Sequence, residues 1–169
     1  MNYTFEFELD EGEQVRASRV VAFRRRAMKA TLAVFAAIAI LATLAFVSGL
    51  IESVFVLVLG WGCLVGGLAG AYAAPKSAVK SLRKNNRAVA GPHTYVITPD
   101  GLDMRSLGAT STLQWANVFE VYESREFLFF YFAAQWAQVL PKRVIPAETL
   151  VPLRSAIQGW AGARAHLVT

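Results

Sequence analysis

Residues 47–56 read VSGLIESVFV, and Glu52 within them carries the only charge between Lys29 and Lys76. Ala30 to Ile51 supplies 22 residues without a charged side chain, and Val54 to Ala74 supplies 21 more. Each run matches the ~20 apolar residues needed to cross the hydrocarbon of a bilayer. A single helix through both would be about 65 Å long at ~1.5 Å per residue, roughly twice the ~30 Å hydrocarbon thickness. The run therefore divides into two spans, 30–51 and 54–74. A charge costs several kcal/mol at mid-bilayer and little at a turn in the interface, so Glu52, with Ser48, Gly49 and Ser53 beside it, marks the reversal. The rival reading of Glu52, an intramembrane proton or ion site, lacks a partner, because neither span holds His, Asp, Lys or Arg.

The 169-residue chain has a net charge of +5, and the placement of that charge says more than its size. Arg16, Arg19, Arg24, Arg25, Arg26 and Lys29 precede the first span, while Lys76, Lys80, Arg83, Lys84 and Arg87 follow the second. Positive residues at span ends stay on the cytoplasmic side, which puts both flanks and both termini inside and the Glu52 turn outside. Lys76, Lys80, Lys84 and Arg87 recur at helical spacing, so they would form a stripe that, with Arg24, Arg25, Arg26 and Arg83, is expected to face lipid headgroups, the alternative being topology determination alone. From Ala88 onward six basic residues meet six acidic ones. That balance excludes nucleic acid as the expected partner, since phosphate binding needs its basic excess on the binding surface. The first apolar run begins too late, after too many acids, for a signal peptide, and the anchor is expected to be retained. Cys63 is the only cysteine, so no intramolecular disulfide or cysteine-based metal cluster is expected.

Gly62, Gly66 and Gly70 repeat every fourth residue in the second span, the spacing that lets helices approach closely in lipid. Packing of this face on the first span is the simpler expectation, and a homodimer through it the sharper one. No strand precedes these glycines and no lysine follows as a phosphate loop requires.

The remaining sequence changes period. YTFEFELD at 3–10 alternates Tyr3, Phe5, Phe7 and Leu9 with Thr4, Glu6, Glu8 and Asp10, the mark of a half-buried strand. Residues 94–106 alternate about a turn at Pro99, Asp100 and Gly101, followed by β-rich runs at 111–115, 118–124, 127–132 and 136–140. Alternation in the aromatic run predicts that Phe129 or Phe130 faces outward. After Pro141, the spacing of Leu150, Leu153, Ile157 and Trp160 predicts one helix, capped by Thr149 with Pro152 in its first turn. The expected fold class is an α+β membrane protein: a two-helix transmembrane hairpin and a bent antiparallel sheet of about seven strands, including the N-terminal one, capped by a C-terminal helix. Its parts are the strand 1–10, the hairpin with its juxtamembrane extensions over 11–87, and a cytoplasmic domain over 88–169.

ITPDGL at 97–102, QWANVFEVYES at 114–124, FLFFYF at 127–132 and VLPKRVIP at 139–146 together resemble the YcxB-like proteins. The resemblance covers roughly residues 94–165. It implies a pleckstrin-homology-type domain behind two membrane spans, and no activity. Val144 and Ile145 depart from the small residue and aromatic more frequent there, which bears on packing ahead of the helix.

Lys142 and Arg143 emerge where Pro141 ends a strand, two cations able to receive an acidic peptide or headgroup. The bland alternative is ion pairing with Glu120, Glu123 or Glu148, or a contact with exposed carbonyls. His93, in an expected linker, and His166, near an end expected to fray, are the only imidazoles, and neither sits in a catalytic pattern. The expectation is a non-enzymatic bacterial inner-membrane protein, without cofactor or metal. It presents its cytoplasmic module to another protein in a regulatory or scaffolding role, with membrane lipids as neighbours. An anionic-lipid sensor and an oligomeric component, such as a small channel or immunity-type protein, are the rivals.

Overall fold

The computed structural model describes residues 2–50, 52–85 and 91–168, with Arg26 described for its backbone alone. Contacts divide the chain into two compact units: Ser18–Ala78, and the paired segments Met1–Ala17 and Val79–Thr169. Both boundaries fall inside the 11–87 stretch assigned to the hairpin from sequence.

The Ser18–Ala78 unit draws on α1 (Glu11–Arg24), α2 (Arg26–Val47) and α3 (Val54–Asn85). α1 was not expected as a separate helix. Arg25 has φ −60 and ψ 127, an extended value that takes it out of the helical ladder, and α2 starts afresh from the Arg25 carbonyl with the Lys29 N–H at 3.2 Å. α2 ends where Ser48 N–H donates to Leu44 O at 2.9 Å and Gly49 turns at φ 74, a left-handed conformation open to glycine. The reversal thus begins within the expected turn, and Glu52 is exposed in it.

Both helices are long and apolar enough to cross a membrane, and only 6% of the apolar stretch of each is buried inside the protein. Leu41, Phe55 and Val65 are each more than half exposed. At ~1.5 Å per residue, the 32 residues of α3 run about 48 Å, beyond the ~30 Å of hydrocarbon, leaving room for a charged end. The helices meet through Gly60 and Gly67. A Cβ at Gly60 would lie 3.2 Å from that of Ala42, and one at Gly67 would lie 2.7 Å from the Phe35 ring. Trp61 Nε1–H donates to Thr43 Oγ1 at 3.2 Å across the same seam.

The other unit holds two four-stranded sheets. The first has the order β1 (Tyr3–Phe7), β2 (His93–Ile97), β3 (Gly101–Ser106), β4 (Ala109–Gln114), antiparallel throughout. The second has the order β7 (Trp136–Pro141), β6 (Phe127–Ala133), β5 (Glu120–Glu123), β8 (Ala165–His166), with β8 parallel to β5. Among the described residues, seven strands in one bent sheet are thus corrected to eight in two sheets. The helical turn Trp115–Asn117 interrupts the chain between β4 and β5. β8 escapes a pattern search because two residues carry no period.

β1 pairs with β2 from Tyr3↔Ile97 to Phe7↔His93, so His93 is a strand residue rather than part of a linker. Likewise, His166 lies in β8 against Tyr122 rather than in a frayed end. Gly101 is required where β3 leaves the turn, since a Cβ there would collide with the Leu113 carbonyl oxygen.

Phe129 and Phe130 are both fully buried, contrary to the expectation that one faces out. β6 lies between β5 and β7, with its two faces covered. Phe130 approaches Trp115, which stacks near Trp160, while Phe129 sits among Tyr122, Phe127 and Tyr131. The exposed aromatics are instead Phe119, Phe132 and Trp136. α4 (Ala147–Ala161) buries Leu153, Ile157 and Ala161. It starts earlier than expected: Thr149 and Leu150 N–H both donate to the Pro146 carbonyl, leaving Thr149 inside the helix with no capping bond. Pro152 is therefore the sixth helical residue, not a first-turn residue.

Candidate functional site

The residues singled out from sequence separate into three groups. The first is the corner after β7. Pro141 closes the β6–β7 ladder opposite Phe127, and the helical turn Lys142–Val144 then throws two adjacent side chains in different directions.

Lys142 turns inward. Its Nζ lies 2.5 Å from Glu123 Oε1 and donates to the Ser124 carbonyl at 3.2 Å. Glu123 has no side-chain exposure. Arg154 of α4 donates to both of its carboxylate oxygens, at 2.9 and 2.6 Å, and Val168 N–H adds a bond at 3.0 Å. Burial alone would push the Glu123 carboxyl up, but the Arg154, Lys142 and Val168 hydrogen bonds outweigh it and hold the group below its ordinary range. The same bond raises the Arg154 guanidinium. The cluster ties β5, the corner, α4 and the tail around one buried charge.

Arg143 turns outward to the segment that follows β1. Its Nε and Nη2 donate to the two Glu13 oxygens at 2.6 and 3.0 Å, and Nη2 donates to the Glu8 carbonyl at 2.7 Å. Glu13 is itself part of the start of α1. Asp10 Oδ1 accepts from the Gly12 and Glu13 amides, and Glu13 Oε2 accepts from Asp10 N–H at 3.1 Å, a reciprocal capping box. The Arg143 bond holds the Glu13 carboxyl below its ordinary range, and Glu13 in turn raises Arg143. Both cations of the corner thus already hold a carboxylate and a backbone carbonyl of this chain, as the bland reading had it, except that Arg143 takes an acid, Glu13, which that reading did not name.

In the second group, the basic flanks, Lys76, Lys80 and Lys84 are exposed at four-residue steps on α3. Arg83 leaves this set: its Nη1 donates to the Leu9 carbonyl at 3.1 Å. Arg24 is half-buried at the end of α1, and Arg25 is exposed between α1 and α2. The Arg26 side chain and Arg87 lie outside the described residues. The third group is corrected. A Cβ at Gly62, Gly66 or Gly70 would meet nothing within 4 Å, so that face does not pack on the first span, and Gly60 and Gly67 take the contact instead.

Sequence reasoning missed Glu13 and Arg154, and it assigned Arg83 to lipid headgroups rather than to the Leu9 carbonyl. The Asp10-to-Glu13 spacing was the available signal for the first, since it announces a helix start. Nothing local points from Glu13 to Arg143. Among the described residues no group of three or more His, Cys, Asp or Glu is placed to hold a metal ion.

Residues 97–157, from the end of β2 into α4, match the family model described as YcxB-like protein, in agreement with the resemblance read from 94–165. No curated protein and no solved structure matches the chain.

Proposed function

We propose that this chain is a non-enzymatic bacterial inner-membrane protein. In this reading a two-span hairpin, with both termini in the cytoplasm, presents a pleckstrin-homology-like module to another protein in a regulatory or scaffolding role. One observation carries the membrane part: only 6% of the apolar stretch of each long helix is buried inside the protein. Apolar surface of that extent calls for a lipid solvent. The basic residues at both outer flanks favour the inside orientation. Lys76, Lys80 and Lys84, each contributing on the order of 1 kcal/mol near an anionic leaflet, favour contact of that helix end with headgroups. A lipid-sensing role for the corner is less favoured, since Lys142 and Arg143 are engaged with Glu123 and Glu13.

Reporter fusions at Met1 and Thr169 test the topology. Both should report from the cytoplasm, with the protein resisting carbonate extraction from membranes. Reporters on opposite sides would overturn the reading.

Self-association of the hairpin is a second reading, favoured by the open face at Gly62, Gly66 and Gly70. Leucine at all three positions should then reduce the oligomer in detergent, and an unchanged oligomer removes this reading.

A further inference from the structure

The corner after β7 already holds an acidic peptide, and that peptide belongs to this chain. Residues 5–14, FEFELDEGEQ, carry Glu6, Glu8, Asp10, Glu11 and Glu13. β1 delivers them in register. Phe5, Phe7 and then Leu9 are buried while Glu6 and Glu8 stay exposed, and the strand backbone pairs with β2 over five positions. Beyond β1, Arg143 grips the Glu8 carbonyl and the Glu13 carboxylate, Arg83 grips the Leu9 carbonyl, and Arg16 reaches Glu126 at 2.9 Å. This contact reads an extended backbone, two aromatic side chains and a carboxylate at a set distance. It does not read covalent continuity, because α1, α2 and α3 all intervene between β1 and β2.

We infer that the β2 edge and the Arg143–Arg83 corner form a docking site for an acidic, strand-forming segment of another protein, with residues 3–14 of this chain as its resident competitor. The inference deepens the interaction reading above and rests on it for the existence of a partner. The occupant specifies the competitor: apolar and polar side chains alternating over a five-residue strand, then a carboxylate where Glu13 sits. The ionic half of the contact is the exchangeable half. The Arg143 side chain is 53% exposed, although its Glu13 partner is only 9% exposed, and Arg16 and Glu126 are 48% and 52% exposed, so water and salt compete at these cations. The buried Phe5 and Phe7 yield only to a strand that replaces them.

The test uses the full-length protein in detergent micelles with Cys63→Ser, and a fluorescent synthetic peptide of residues 2–16 as probe. The resident segment competes at an effective concentration on the order of millimolar, so the parent chain binds the peptide weakly. Glu13→Lys loosens the resident clamp, and affinity for the peptide should rise by roughly tenfold as that competition falls. Arg143→Ala in the same background should abolish the gain, because the peptide's Glu13 then finds no cation. Variants that keep parental far-UV dichroism and tryptophan emission yet ignore the peptide overturn the inference, as does a gain indifferent to Arg143. A second measurement avoids loosening the fold. With Val96→Cys in the Cys63→Ser chain, a peptide whose cysteine at position 4 is activated as its thionitrobenzoate disulfide should exchange onto the protein thiol, releasing thionitrobenzoate, faster than it does with Thr94→Cys, because Thr4 pairs with Val96. Equal rates or no adduct overturn the inference. Failure here with both reporters cytoplasmic removes the competitor alone, whereas reporters on opposite sides remove the underlying reading.

Discussion

Lys142 and Arg143 are neighbours in the chain, yet one is shielded and closes on a carboxylate with no solvent exposure, while the other is half exposed and closes on a carboxylate at 9% exposure. Around Glu123 two cations and an amide converge, and each partner is at least three-quarters shielded, Lys142 at 18% and Arg154 at 25% exposure. Around Glu13 the geometry is as good, with two charge-assisted bonds, but the arginine that supplies them is 53% exposed. Equal bonding in unequal solvent gives different roles. Inside, the carboxylate must be held by its partners, since water is no alternative, and the cluster fixes the fold. At Glu13 the carboxylate is also shielded, at 9% exposure, but water reaches the pair through Arg143, so the cation is left solvated when the pair opens.

The sharpest break of this comparison is Glu123→Ala. Removing one partner of a buried ionic cluster leaves Lys142 and Arg154 uncompensated, and a loss of about 3 kcal/mol of unfolding free energy is expected in denaturant titration of the detergent-solubilised chain. A loss no larger than that of Glu13→Ala would dissolve the distinction between the two centres.

Acid provides the next test. Both carboxyls are held below their ordinary range in the folded chain, so each contributes stability that is fully present above the unfolded carboxylate value. That contribution is lost as pH falls through the lower, folded value. Melting temperature should therefore hold from pH 7 to about 5 and drop below roughly pH 4.3. Glu123→Gln, which has no charge to lose there, should show the shallower fall. An unchanged slope in that variant would mean that other acids govern the transition.

The clamp at Glu13 should register more weakly. Glu13→Ala removes both the Arg143 pair and the reciprocal cap of α1, for an expected loss of about 1 kcal/mol. Raising salt to about 1 M, where the screening length is near 3 Å, should shrink that difference and leave the Glu123→Ala difference standing. The joint change Glu13→Arg with Arg143→Glu should recover part of the loss, because it restores the pair without the cap.

Which parts of this were legible in the sequence follows from the range of the forces involved. Alternation in YTFEFELD, the Pro99–Gly101 turn and the two uncharged runs are local patterns, and β1, the β2–β3 hairpin and the two long helices form where those patterns lie. FLFFYF is a strand as its composition requires. Its near-continuous apolar run is what a strand covered on both faces looks like, and alternation was the wrong rule to apply to Phe129 and Phe130. The glycine seam failed for a related reason. Spacing identifies the faces of α3, but Phe35 and Ala42 on α2 decide which face is used, and they select the seven-residue step from Gly60 to Gly67. The corner was visible as chemistry and illegible as geometry: adjacent cations advertise a need for carboxylates, and 130 residues separate Arg143 from the one it takes.

The smallest expected effect belongs to Arg16 and Glu126, the third tie on the segment after β1. Their bond measures 2.9 Å, as short as the Arg154 bond to Glu123, yet both side chains are about half exposed. Arg154 adds a second bond to Glu123 at 2.6 Å, and solvent exposure further ranks the Arg16 pair among those contributing about 0–1 kcal/mol. Arg16→Ala should shift the melting temperature by less than half the shift of Glu13→Ala, and the residual shift should vanish in high salt. An effect as large as that of Glu13→Ala would mean that α1 is held by its side facing Glu126 as firmly as by its cap, and the exchangeable region would shrink to the strand ahead of Asp10.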